Sequence, residues 1–334
     1  MKISASIYSD KNRSLEATIQ DLVDHRVDLL HVDCNDDLSV FDDIATIRTL
    51  CDIPIDLHII TTTPSKYYEL LVKHPVEYVT FQYEDLKEPL KIPEEVTGRK
   101  GLAVITPTDV RVFEEFSDFD FILIMATIPG QSGGVFDTIN FNKIRQFRNS
   151  FPGKSIHVDG GVNAEVSFIL RNMGVTSAVS GSFLFKASSV GNALMDLTKR
   201  DVESTFRVKD FMIPLEESPV IQDSNLNVEN ALKSIDAGKL GFTLLVDSSN
   251  HFKGLISNAD VRKGLLKHID DLNQTQASEF VNDKATTISP DNTVLQMLKT
   301  AKKSPFPISY LPVVDSQGIA HGIVTFVNLI KGEL

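Results

Sequence analysis

Between residue 2 and about residue 200 the chain alternates short apolar runs with longer amphipathic segments. Ile3 to Tyr8, Leu29 to Cys34, Pro54 to Ile60 and Glu77 to Tyr83 read as four strands, and Gly101 to Ile105, Phe119 to Ala126, Ser155 to Asp159 and Ser177 to Phe185 as four more. Leu15, Ile19, Leu22 and Val23 share one helical face, as do Ile44, Ile47 and Leu50, and then Ile139, Ile144 and Phe147. Eight strands alternating with helices predict an α/β fold, a (β/α)8 TIM barrel. No Gly-x-Gly-x-x-Gly follows the first strand, which disfavours an open dinucleotide-binding sheet.

Past the helix that ends near Arg200 the pattern changes, and the chain repeats itself. Leu245-Val246-Asp247 and Gly254-Leu-Ile-Ser257 recur as Val313-Val314-Asp315 and Gly322-Ile-Val-Thr325, each pair displaced by 68 residues. A constant offset through two separate motifs marks a duplicated unit. Each copy reads as helix, strand, turn, strand, helix, too small to be stable alone, so the two should pack together. The expected division is a barrel at 1–204 and a smaller α/β domain at 205–334, with copies at about 208–268 and 277–332.

Composition narrows the function more than the fold. A chain of 334 residues suits two domains, and 42% hydrophobic with 23% charged residues is ordinary for a globular protein. Acidic residues outnumber basic ones 45 to 33, a net charge of −12, which argues against nucleic acid or an anionic membrane as the main partner. Cys34 and Cys51 make neither a disulfide framework nor a metal-ligand spacing. The N-terminus enters a strand without a signal-peptide core and no apolar run would span a bilayer, so the expected location is cytoplasmic. A homo-oligomer is expected.

The candidate chemistry lies where the barrel strands end. His31 and Asp33 sit two apart on the second strand and so face one way. A desolvated His and carboxylate need each other, a proton or a cation to offset burial. His58 ends the third strand and Asp159 the seventh. Two imidazoles and two carboxylates suit one divalent ion (Zn, Fe, Mn or Co) with positions left for substrate. Glycines in Asp159-Gly160-Gly161 and Ser180-Gly181-Ser182 would let backbone N–H groups approach a phosphate. The loop Pro129-Gly130-Gln131-Ser132-Gly133-Gly134 could close over the same ligand. Asp33 and Asp159, on opposite sides of a planar enediolate, would remove a proton from one face and return one to the other, which is epimerisation.

The first two hundred residues resemble ribulose-phosphate 3-epimerases. The resemblance rests on Ser4-Ala-Ser6-Ile, His31-Val-Asp33, Asp56-Leu-His58, Thr80-Phe81, Pro129-Gly130 with Gly133, Val158-Asp159-Gly160-Gly161-Val162 and Val179-Ser180-Gly181-Ser182. It implies His31, Asp33, His58 and Asp159 as metal ligands, with Asp33 and Asp159 carrying protons. It also implies Ser6, Met125, Gly130, Gly133, Gly161, Gly181 and Ser182 as contacts to a ketose phosphate, ribulose or xylulose 5-phosphate. Departures gather in the shell over the substrate. The family's Met-Asp-Gly-x-Phe-Val-Pro-Asn becomes the shorter Asn35-Asp36-Asp37-Leu38-Ser39-Val40-Phe41. Of its lining methionines only Met125 remains, with Asn35 and Ile60 at the other places, and Gln82 replaces a histidine. Another ketose phosphate, or a catalytically silent sugar-phosphate sensor, are therefore the alternatives. The Asp-x-Lys-x-x-Asp of decarboxylating relatives is absent.

The duplicated segment resembles a tandem CBS pair, closest to that of arabinose-5-phosphate isomerases, through Val208-Lys-Asp-Phe-Met212-Ile-Pro214, Gly254-Leu-Ile-Ser257-Asn-Ala-Asp260, Ile288-Ser-Pro290-Asp291 and Gly322-Ile-Val-Thr325-Phe-Val-Asn328. The resemblance implies Ser257, Asp260 and Thr325 as contacts to an adenine nucleotide or nucleotide-sugar. Asn328 in place of an Asp weakens ribose binding in the second copy.

Overall fold

The structure, a computed structural model, describes residues 1–127, 133–199, 203–304 and 308–331. It divides into two compact units, Met1–Val202 and Glu203–Ile330.

In the first unit eight strands close a barrel in sequence order, each parallel to its neighbours. They are β1 (Lys2–Ser6), β2 (Leu29–Asn35), β3 (Ile55–Ile60), β4 (Tyr78–Gln82), β5 (Arg99–Ile105), β6 (Phe121–Met125), β7 (Ser155–Asp159) and β8 (Ser177–Ser180). The helices are α1 (Leu15–Asp24), α2 (Val40–Leu50), α3 (Tyr68–Lys73), α4 (Ile139–Ser150), α5 (Ala164–Asn172), α6 (Ser182–Lys186) and α7 (Val190–Thr198). Alternation lapses after β4 and β5, where only 3-10 turns occur, at Tyr83–Asp85 and Val110–Phe116. Pro89 and Pro93 in the first of these connections each lack the N–H a helix would use.

Three details differ from the sequence expectation. The eighth strand stops at Ser180, because Gly181 turns the chain (φ −117°, ψ −87°) and Phe183 to Phe185 belong to α6. The first strand stops at Ser6 and passes into a 3-10 turn at Ile7–Ser9. Leu50 and Ile139 lie outside the apolar face, 41% and 58% exposed. Leu50 is the last residue of α2 and Ile139 the first of α4, where the helix has turned away from the sheet. Inside the barrel, Leu29, Tyr78 and Phe121 form one buried cluster and Ala103, Leu123 and Met125 another. Fully burying a side chain of this kind stabilises by about 1.5–3 kcal/mol, so the interior is a packed core.

The second unit begins with α8 (Val208–Phe211), β9 (Ile213–Pro214) and β10 (Val220–Gln222). The first copy continues as α9 (Val228–Gly238), β11 (Phe242–Val246), β12 (Phe252–Ser257) and α10 (Asn258–Lys267), the second as α11 (Val294–Lys303), β13 (Tyr310–Val314), β14 (Ala320–Thr325) and α12 (Val327–Lys331). The repeat reaches the fine structure. Bulges fall at Leu245/Val246 and Val313/Val314, and Gly254 and Gly322 share nearly one backbone angle (φ 156° and 149°). The copies also exchange edges. β9, ahead of the first copy, pairs with β14 of the second, while Asn282, ahead of the second, bridges Leu255 of the first. Phe242 and Tyr310, equivalent positions, pack ring against ring at 4.3 Å. No described helix in either unit is long and apolar enough to cross a membrane.

Candidate metal centre and active site

Strand register assembles the centre. β2 and β3 pair His31 with Asp56 and Asp33 with His58, so that His-x-Asp on one strand meets Asp-x-His on the next. β7 adds Asp159. One donor atom from each of His31, Asp33, His58 and Asp159 lies within 4.8 Å of all the others. Both imidazoles are wholly buried, and the two carboxylates are only slightly exposed.

Partners behind the imidazoles decide which nitrogen faces inward. His31 Nδ1 lies 3.0 Å from Asp56 Oδ2, which also accepts from Ser4 Oγ at 3.0 Å. This leaves Nε2 towards Asp33 (3.2 Å) and Asp159 (3.9 Å). His58 Nε2 donates to Gln82 Oε1 at 2.9 Å. In the neutral ring its Nδ1, 3.5 Å from Asp33 Oδ1, is then a lone pair aimed at a carboxylate, buried and without a hydrogen-bond partner. Acceptors facing acceptors in a buried space require positive charge between them.

The electrostatics of the site agree. Burial alone would lower the His31 pKa, but the charges of Asp33 and Asp56 carry it well above the usual imidazole range. Burial would raise Asp33, and the neighbouring imidazoles, His31 foremost, hold it far below the usual carboxylate range. Asp159 is pushed up to about 6, by burial first and with the charge of Asp33 adding to it. The two acids thus differ in their hold on a proton. A proton on His31 and a divalent ion compete for one position, and the donor set fits such an ion.

A cavity of about 900 Å³ opens over the centre. Ser6, Asp33, Gly133, Asp159, Gly161, Gly181 and Ser182 line it, together with Tyr8 and Asn35. Two of its glycines sit where a side chain would be crowded. Gly161 has φ 66°, and a Cβ there would stand 2.2 Å from the Phe136 nitrogen. A Cβ at Gly181 would stand 2.2 Å from Ser9 Oγ. Met125 is not among the lining residues; it is buried in the barrel interior beside Ala103 and Leu123. Gly130 falls outside the described residues. The short loop after β2 is tied down, since Asp36 Oδ1 accepts from Tyr67 (3.2 Å), Thr61 and Lys66.

A family model described as ribulose-phosphate 3 epimerase family matches residues 2–185. The chain belongs to this family. A ribulose-phosphate 3-epimerase of Bacillus subtilis is 26% identical over 212 residues, covering 59% of this chain and 98% of that one. Another from Methanocaldococcus jannaschii is 28% identical, covering 64% and 95%. With curated epimerases of this kind along nearly the whole barrel, the chain is an enzyme of the epimerase class. A CBS domain model matches residues 277–333, the second copy. The solved CBS domain-containing protein of unknown function from Bacillus anthracis is 21% identical over 38% of this chain and 91% of its own, with a TM-score of 0.33.

In the CBS unit, Ser257 and Asp260 cap α10 together. Ser257 Oγ and Asp260 Oδ2 are 2.5 Å apart, the Asp260 N–H donates to Ser257 Oγ and the Ser257 N–H to Asp260 Oδ2. Thr325 stands at the corresponding place ahead of α12.

Asp56, Ser4, Gln82 and Glu84 behind the centre were not singled out for a role from the sequence. Asp56-x-His58 reverses His31-x-Asp33, but only the register of β2 against β3 pairs them crosswise.

Proposed function

We propose that the barrel inverts C3 of a ketopentose phosphate, interconverting ribulose and xylulose 5-phosphate. The observation that carries this reading is the orphaned His58 Nδ1 within a ring of acceptors that includes both Asp33 and Asp159. A divalent ion held by His31 Nε2, His58 Nδ1, Asp33 and Asp159 would polarise the substrate carbonyl and its neighbouring hydroxyl. Gly161, Gly181 and Ser182 would grip the phosphate. Asp33, on β2, suits proton removal from one face. Asp159, on a well-separated strand, suits proton delivery to the opposite face of the enediolate, and the roles exchange in reverse.

Asn35 and Tyr8 in the cavity wall support a second reading, a different ketose phosphate with the same proton chemistry. At the CBS pair, Ser257, Asp260 and Thr325 would contact an adenine nucleotide that adjusts the barrel's activity. Solvent deuterium incorporation into a panel of ketose phosphates tests both readings of the barrel. Xylulose 5-phosphate should exchange at C3, and Asp159→Asn should abolish inversion, a loss of 10²–10⁴-fold or more. Equal turnover by wild type and Asp159→Asn would overturn the two-carboxylate mechanism.

A further inference from the structure

We propose that Glu84 is a positioning residue which, acting through Gln82, fixes the tautomer of His58 and so keeps its Nδ1 open to a cation. The proposal rests on the metal reading above and deepens it.

The argument is one of donors and acceptors. Glu84 Oε1 accepts from the backbone N–H of Ile105 at 3.0 Å and from Thr108 Oγ at 2.5 Å. Its other oxygen, Oε2, lies 2.5 Å from the amide nitrogen of Gln82. An ionised carboxylate only accepts, so Gln82 must turn its NH2 towards Glu84. The Gln82 carbonyl oxygen then faces His58 Nε2 at 2.9 Å, and an oxygen there requires that this nitrogen carry the proton. In the neutral ring, a proton on Nε2 leaves Nδ1 unprotonated. Charge on a residue outside the centre thereby sets which face of a buried imidazole is basic. Gln82 is 1% exposed, so its contact with His58 is closed to water, while Glu84 stands at the exposed end of the relay. With a histidine in place of Gln82 the relay would have no amide to orient. The direction of this one depends on Glu84.

Glu84→Gln is nearly isosteric and should reverse the relay. Ile105 N–H and Thr108 Oγ–H both donate to the same oxygen of residue 84, so the new amide is favoured to keep its oxygen there and present its NH2 to Gln82. Gln82 would flip and offer its own NH2 to His58 Nε2, driving the proton to Nδ1. The double variant Gln82→Glu/Glu84→Gln should restore the original direction, because a carboxylate at 82 accepts from both sides.

The test uses full-length protein labelled with ¹⁵N-histidine, the His58 signals being assigned by comparison with His58→Gln. Wild type should show the Nε2–H form, Glu84→Gln the Nδ1–H form, and the double variant the Nε2–H form again. Zn²⁺ affinity by chelator competition should fall about 10–100-fold in Glu84→Gln and recover in the double variant. An unchanged His58 tautomer in Glu84→Gln would overturn the proposal. Should Glu84→Gln not fold, Gln82→Met, which removes the acceptor, must lose the tautomer preference for the proposal to stand. If wild type binds no Zn²⁺ while the tautomer moves as described, the metal reading fails and the relay survives.

Discussion

Asp56 shows how a residue that touches no substrate can govern this centre. Its Oδ2 accepts from Ser4 and orients His31, while its Oδ1 is buried without a hydrogen-bond partner. Removing such a partner leaves the imidazole free to turn and less basic. Asp56→Leu should weaken divalent-metal affinity about 10–100-fold, measurable by titration calorimetry. His157, two residues before Asp159, makes a separate pH-dependent contribution to stability. It stacks on Phe121 at 4.2 Å, and burial depresses its pKa to about 4. In the unfolded chain the same side chain takes up a proton below about 6.5. Between pH 6.5 and 4 the unfolded state therefore binds the extra proton, and stability falls as pH falls, by up to about 3 kcal/mol from this group. Denaturant melts of wild type and His157→Phe across that window should differ in slope, the variant losing less stability on acidification. Comparing the two proteins removes the opposing contribution of Asp159, whose raised pKa favours the folded state on acidification over part of the same range.

Elements carry what single residues cannot, and here the sequence was readable to different depths. The strands were legible because each is an apolar run, and Leu29 to Cys34 showed two polar interruptions two residues apart, a spacing that only a strand turns into one face. The four candidate ligands followed from strand ends alone. Illegible were the features set by geometry across elements: the crosswise pairing of His31 with Asp56, the passage from Ser180 through Gly181 into α6, and the edge exchange between the CBS copies. Each depends on register or on a turn angle rather than on local periodicity. The Gly160-Gly161 turn between β7 and α5 lies between these cases. The sequence marked it as a phosphate grip, and the structure adds that Phe136 closes on it. Gly161→Ala would place a methyl 2.2 Å from the Phe136 nitrogen in a left-handed conformation. It should cost on the order of 1–3 kcal/mol in stability. If the turn also holds phosphate, KM should rise more than kcat falls, which steady-state kinetics on the variant can separate.

The whole chain joins a barrel that holds every ligand of the candidate centre to a CBS unit with cores of its own. One of those cores gathers Ile221, Ala231, Ile235, Leu245, Ile256, Val261 and Phe280, and another joins Phe242, Leu244 and Leu255 of the first copy to Ile323 of the second. Two units with separate cores should melt as two transitions under calorimetry, and a ligand stabilises only the unit whose folded state binds it. Divalent metal at a hundred times its dissociation constant would add about 2.7 kcal/mol to the barrel. For a domain of this size that raises the midpoint by roughly 5–10 °C. Adding a chelator should move the barrel transition down by that amount and leave the CBS transition in place, while an adenine nucleotide should do the converse. Any departure from this independence is informative in a definite direction. Coupling between sites is reciprocal, so if nucleotide shifts the metal-dependent transition, metal must alter nucleotide affinity by the same factor. Measuring both arms separates a regulated epimerase from two domains that merely share a chain.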